Sequence, residues 1–254
     1  MDSVNKTLYI PLRGKAYVSQ RGMILRDPKA EEIWAAEGFP LRGKSASRWL
    51  AYYMGMRAAV FDRWAQARME ADPAACVLHI GCGMDSRCDR IGRENQWFDV
   101  DFPEVIAERR RYYGETEAYR MICADVTDPN FLDGLPHGNA IVIMEGVSMY
   151  LPPEQLKETL DRVAAHFDRV HLLMDCYTTF AAKASRYKNP INDVGVTKVY
   201  GMDDPNALEG FIGELNMTPD DLIDELHGME RRIFRNLYAG SVAKKMYRLY
   251  EYRR

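Results

Sequence analysis

The sequence predicts an α/β fold built on a doubly wound parallel sheet, and three observations carry that prediction. Apolar runs at 76–80, 97–101, 119–123, 140–144 and 170–175 alternate with segments of helical periodicity, as strands do when helices cover both faces of a parallel sheet. The first run enters the turn Gly81-Cys82-Gly83, and the second ends on Asp101, 18 positions after Gly83. Acids stand at or just past successive strand ends: Asp85 in the glycine loop, then Asp101, Asp125 and Glu145. In an open parallel sheet ligands bind outside the carboxyl ends of the strands. The glycines let the main chain approach a nucleotide-like ligand, and the acid accepts hydrogen bonds from ribose hydroxyls.

Residues 1–44 are weakly periodic, but the turn Arg26-Asp27-Pro28 starts a helix running to about Ala36. Ser45 or Ser47 can cap a strong helix over 45–70, with Leu50, Tyr53, Met54, Phe61 and Trp64 near one face, and Asp72-Pro73 ends it. A helix follows the glycine loop from Arg87, and Pro103 opens the next, through Tyr113. Pro152-Pro153 starts a helix carrying Leu156, Leu160, Val163 and Phe167 at helical spacing. Residues 177–218 break the rhythm. They are polar and aromatic (Tyr177, Phe180, Tyr187, Tyr200) and read as a lid over the strand ends. A helix near 219–226 and strands near 231–235 and 246–252 complete a seven-stranded sheet, the last strand at its edge.

Composition narrows the class. The chain has 254 residues, 47% hydrophobic and 28% charged, with net charge -3, an ordinary globular balance. That charge argues against a nucleic-acid surface, and no apolar stretch reaches the roughly 20 residues of a membrane span. The five cysteines form no C-x-x-C pair, which fits reduced thiols in a cytoplasmic protein. His79, Cys82 and Cys88 lack zinc-like spacing, so no metal is expected. The run Arg109-Arg110-Arg111 reads as a solvated helix face, and Asp85 either caps the following helix or belongs to the row of acids at the ligand edge.

The position three after Gly83 is Ser86 rather than glycine. Dinucleotide-binding loops use that third glycine beside a pyrophosphate. S-adenosylmethionine (SAM) has no pyrophosphate, while its ribose, exocyclic amine and α-ammonium offer donors to a row of acids. Arg57 falls on the apolar stripe of the 45–70 helix, where an unpaired charge is costly. Its partner is either an internal acid or an anionic ligand group, unless the guanidinium reaches solvent. A nicotinamide oxidoreductase would want the third glycine. An α/β-hydrolase would want Gly-x-Ser-x-Gly, and Gly146-Val147-Ser148-Met149-Tyr150 lacks its last glycine.

Three linked motifs resemble the leucine carboxyl methyltransferase family: Gly81-Cys82-Gly83-Met84-Asp85-Ser86-Arg87, Trp97-Phe98-Asp99-Val100-Asp101-Phe102-Pro103, and Glu145-Gly146-Val147-Ser148-Met149-Tyr150-Leu151. The upstream Arg26-Asp27-Pro28-Lys29-Ala30 is similar too, and the resemblance spans roughly residues 10–175. It implies a class I, Rossmann-like SAM-dependent O-methyltransferase: an N-terminal helical cap (1–70) on a SAM-binding core (71–254) with the lid at about 177–218. Position by position, it implies that Gly81 and Gly83 meet the cofactor through the backbone, that Asp101 holds the ribose, and that Asp125 and Val126 contact the adenine. Glu145 would lie near the amino-acid part of the cofactor, Arg57 and Lys15 would pair with its carboxylate, and Tyr150 would stand near the transferred methyl group. The acceptor is expected to be a carboxylate or hydroxyl of a small molecule. A protein C-terminal carboxylate and a catalytically inactive scaffold are the alternatives, and the segment after 176 does not look like the protein-methylating branch.

Overall fold

Strand β1 (Cys76–Ile80) lies inside a sheet with β2 (Trp97–Asp101), β3 (Tyr119–Cys123), β4 (Asn139–Met144), β5 (Arg169–Tyr177), β6 (Phe211–Leu215) and β7 (Tyr247–Arg253). The order is β3-β2-β1-β4-β5-β7-β6. The first five strands run parallel, and β7 pairs antiparallel with both β5 and β6. This is a computed structural model; it describes residues 5–188, 198–240, 243 and 245–254, but not the side chains of 5, 6 and 186–188.

Alternation along each strand divides the core between two faces. Ile141 and Ile143 of β4, Leu173 of β5 and Leu249 of β7 face one side. There they meet α1 (Tyr9–Gln20), α2 (Pro28–Glu37), α3 (Arg48–Ala71), α8 (Asp220–Asp224) and α9 (Gly228–Leu237). Ala140, Val142 and Met144 face the other side, against Leu156, Leu160 and Val163 of α6 (Pro153–His166). The inner strands β1 and β4 therefore read as largely apolar runs, because helices cover both of their faces.

Ser47 caps α3, its side chain accepting the Trp49 N–H, and the helix stops at Ala71, before Asp72-Pro73. Helix α1 escapes the periodicity reading because residues around its whole circumference are buried, from Tyr9 and Ile10 to Lys15 and Ser19. It packs on α3 at very short range. A Cβ on Gly14 would stand 2.5 Å from Met54 Cβ, and one on Gly55 would stand 2.8 Å from Val18.

Three expectations need correction. Residues 231–235 are not a strand but part of α9, because Met229, Ile233, Phe234 and Leu237 follow helical spacing and Phe234 is fully buried. The sixth strand is β6, inside the segment read as a lid. Its Gly213 and Glu214 disguise it, and only a half-exposed edge strand tolerates them. β7 is accordingly internal rather than at the edge. From the rest of that segment the structure describes α7 (Thr179–Lys188) and residues 198–210. Its centre, 189–197, and the Tyr187 side chain lie outside the described residues. Among the described residues, no helix is long and apolar enough to cross a membrane.

The α1–α3 contact yields a prediction in which two effects compete. Alanine for glycine inside a helix gains about 0.5–1 kcal/mol of backbone propensity, while overpacking costs about 1–3 kcal/mol. Met54 Cβ is fixed to the backbone and cannot swing away, so the clash wins. Gly14→Ala should destabilise the protein by about 1–2 kcal/mol in chemical denaturation.

Candidate active site

The carboxyl ends of β1, β2 and β4 open into a cavity of about 1220 Å³. Gly81 and Gly83 form its floor with φ of +65° and +51°. A side chain at Gly81 would stand 2.2 Å from Val147 Cγ2, so the glycine loop and the Glu145-Gly146-Val147 turn are packed directly together. Asp101 ends β2 with each carboxylate oxygen holding one backbone N–H: Gly83 at 2.7 Å and Phe102 at 2.8 Å. Burial pushes its pKa up despite those two donors. Asp125 is exposed, accepts the Thr127 N–H and hydroxyl at 2.9 and 2.8 Å, and stands beside the buried Val126. Tyr150 lines the cavity from a short 3-10 turn (Ser148–Tyr150), and burial pushes its phenol well above the usual range.

Arg57 has internal partners. Its Nε donates to Glu145 at 2.8 Å, and its Nη1 donates to Asp175 at 3.0 Å and to the Tyr247 hydroxyl at 2.9 Å. Lys15 pairs with Asp85 at 3.3 Å. Asp85 caps no helix: it also meets Arg87 of α4 (Arg87–Ile91) at 3.3 Å and Arg90 at 3.2 Å. Arg87 has no exposed surface; it donates to Asp62 at 2.7 Å and binds Glu145. Arg90 holds Asp62 and Asp27, each at 2.6 Å. Asp27 also caps α2 through the Ala30 N–H at 2.9 Å. One buried lattice thus links α1, α2, α3, the glycine loop, α4 and the end of β4.

Burial alone would raise the carboxyls of this lattice, but the adjoining cations reverse that for two of them. Arg57 and Arg87 hold Glu145 down at about 2. Arg87, Lys15 and Arg90 keep Asp85 well below the carboxylate range. Asp175, on β5, behaves differently: burial prevails over Arg57 and its pKa is raised.

Beneath the loop a second buried cluster sets its shape. Arg109, at the end of α5 (Pro103–Arg109), is fully buried rather than solvated. It donates to the Gly83 carbonyl at 3.0 Å, binds Asp99, and lies over the Tyr113 ring. Its neighbours Arg110 and Arg111 are exposed, as the charge run suggests. Sequence reasoning also missed Asp62, Arg87, Arg90, Asp175 and Tyr247. Only Asp175 left a signal, as an acid inside the apolar run 170–176.

Leucine carboxyl methyltransferase is the family whose model matches residues 12–164. The chain belongs to that family. It is 32% identical over 214 residues to the tetracenomycin polyketide synthesis O-methyltransferase TcmP of Streptomyces glaucescens, covering 82% of this chain and 79% of that protein. Identity to the S-adenosyl-L-methionine-dependent methyltransferase dpfgK of Gibberella zeae is 27% over 183 residues, 65% of this chain and 61% of that one. Among solved structures, a duf574 family protein from Streptomyces avermitilis superposes with a TM-score of 0.57 at 14% identity, covering 95% of both chains. A SAM-dependent methyltransferase from Mesorhizobium loti gives 0.50 at 13%, covering 78% of this chain and 100% of that one. These last two show the shared fold. The protein is a SAM-dependent O-methyltransferase.

The geometry fits that cofactor. Two glycines with positive φ bare the loop backbone toward the cavity, and Asp101 is already fixed by backbone donors at its rim.

Removing Arg57 leaves buried Asp175 without a cation in contact among the described residues, and leaves Glu145 with Arg87 as its remaining guanidinium. Arg57→Met should lower the stability of the ligand-free protein by on the order of 3–5 kcal/mol, measured by denaturant unfolding.

Proposed function

We propose that this enzyme methylates an oxygen of a small, planar, polyketide-type aromatic acceptor. The observation that carries this reading is the mixed lining of the cavity. Its acids and glycines suit the cofactor, and Ile10, Trp49, Leu50, Tyr53 and Tyr238 give it an apolar, aromatic lining as well. A drug-sized ligand fills about 300–1,000 Å³, so 1220 Å³ holds an acceptor beside the cofactor. The flat aromatic walls suit a flat aromatic guest, consistent with the polyketide named for TcmP.

When bound, SAM supplies an electrophilic methyl group on a sulfonium. The residues of this chain then act by holding and aligning. Asp101 is proposed to accept the ribose hydroxyls, and Asp125 with Val126 to frame the adenine. The Gly81 and Gly83 backbone would lie along the amino-acid part of the cofactor, whose ammonium Glu145 would accept. Lys15 and Arg57 would face its carboxylate, and Arg57 would share its fork between that group and its internal acids. Tyr150, neutral at physiological pH, would hydrogen-bond the acceptor near the transferred methyl.

Asp101 provides the test. Losing a charge-assisted hydrogen-bonding partner costs about 1.5–3 kcal/mol, one to two decades in affinity. Asp101→Ala should therefore raise the SAM dissociation constant about 10- to 100-fold in calorimetry, with the fold intact. An unchanged constant would remove Asp101 from the site. For the acceptor, mass spectrometry on a panel of hydroxylated and carboxylated naphthalenes and anthraquinones should show the gain of one methyl group. No transfer to any member would contradict the small-aromatic reading.

A further inference from the structure

We propose that Tyr247 and Asp175 form a proton relay that receives the acceptor's proton, so that the oxygen methylated is a hydroxyl. The proposal rests on the small-aromatic reading above. A carboxylate acceptor is already ionised at neutral pH and needs no such device. A phenol does, and none of the residues carried over from the family's motifs supplies a base.

Tyr247, on β7, lines the cavity wall, while its neighbour Asp175 on β5 has no exposed surface. The Tyr247 hydroxyl donates to Asp175 Oδ2 and accepts from Arg57 Nη1 at 2.9 Å. A phenolic oxygen has two lone pairs. Arg57 uses one, and the relay assigns the other to the acceptor's hydroxyl. Asp175 is held by three donors in a fixed arrangement: Tyr247 and Arg57 on Oδ2, and the Gly146 N–H on Oδ1 at 2.7 Å. Arg57 and Tyr53 from α3, Glu145 beyond β4, Tyr150 from its turn and Tyr177 on β5 also face the pair. Tyr53 and Tyr150 are held neutral by burial, and Arg57 offsets Glu145. Asp175 is therefore the group with proton affinity to spare, in keeping with its raised pKa.

The step balances. As the acceptor oxygen bonds to the methyl carbon, the carbon–sulfur bond breaks and its electron pair stays on sulfur. The acceptor's hydroxyl proton passes to the Tyr247 oxygen while the Tyr247 proton passes to Asp175 Oδ2. Both shifts occur together, because burial and Asp175 hold the Tyr247 phenol too far up for a free tyrosinate. Asp175 later returns the proton through Tyr247 to solvent.

The experiment uses the panel member with the highest turnover and treats the product with mild alkali, which cleaves a methyl ester and leaves a methyl ether intact. The expected product is an ether. Tyr247→Phe should lower kcat about 10²–10⁴-fold at neutral pH, the usual contribution of a positioned base, while the SAM dissociation constant changes less than about threefold. Its rate should then rise tenfold per pH unit toward the acceptor's own pKa, since only the ionised phenol reacts unaided, whereas the wild-type rate levels off earlier. Asp175→Asn, which keeps an acceptor for Tyr247 but takes no proton, should show the same pH profile. An ester product overturns the relay and leaves the small-aromatic reading standing, as does an ether formed by Tyr247→Phe with wild-type kcat and pH profile. No transfer to any panel member overturns both.

Discussion

The site depends on one buried ion lattice. Arg57, Arg87, Arg90 and Lys15 each contact at least one of Asp27, Asp62, Asp85, Glu145 and Asp175. Taking such groups out of water costs several kcal/mol per ion, and mutual attraction offsets that only where geometry and hydrogen bonding are good. Here every acid has a cation within 3.3 Å. Buried pairs of this kind add little net stability over a well-packed apolar core. Their effect here is positional. Arg87 alone fixes the end of β4, the glycine loop and α3 relative to one another, and these elements carry Glu145, Gly83 and Arg57.

The lattice also changes what the acids can do. Glu145 and Asp85 remain carboxylates through the neutral range because their cations hold them ionised. Asp101 lies outside the lattice, held by backbone N–H groups of Gly83 and Phe102 rather than by a cation in hydrogen-bond contact among the described residues. Asp175 lies at the far end, where the lattice meets the tyrosines of the acceptor side. One set of residues thus grades from fully compensated charge beneath the glycine loop to a proton-accepting carboxylate beside the acceptor space.

Much of the fold was legible because its cause is local. Inner strands covered on both faces are largely apolar, so β1 and β4 stand out, and the Gly81-Cys82-Gly83 turn and the acid ending β2 mark where those strands end. What failed was non-local. β6 is a half-exposed edge strand whose Gly213 and Glu214 suggest a loop. The 231–235 run mixes arginine with apolar residues at a spacing too short to tell helix from strand. Among site residues, Arg57 was visible as a charge on an apolar stripe, but its partners come from β4, β5 and β7, brought together only by the sheet. Arg87 and Arg90 sit on a helix of five residues, too short to show a face. Arg109 hides in a run of three arginines, of which only it turns inward.

The central claim is that the lattice acts as a unit, and a double-mutant cycle between Arg87 and Glu145 tests it most directly. Arg87→Met alone takes a cation from Asp62, Asp85 and Glu145 at once and leaves Glu145, beside Asp85, with Arg57 only, so it should destabilise by on the order of 3–5 kcal/mol. Adding Glu145→Gln removes one stranded charge and should restore part of that loss, with a coupling energy of about 0.5–3 kcal/mol in denaturant unfolding. Strict additivity, within about 0.5 kcal/mol, would contradict the account, because it would mean that each residue is held by its own surroundings and that no shared lattice shapes the site.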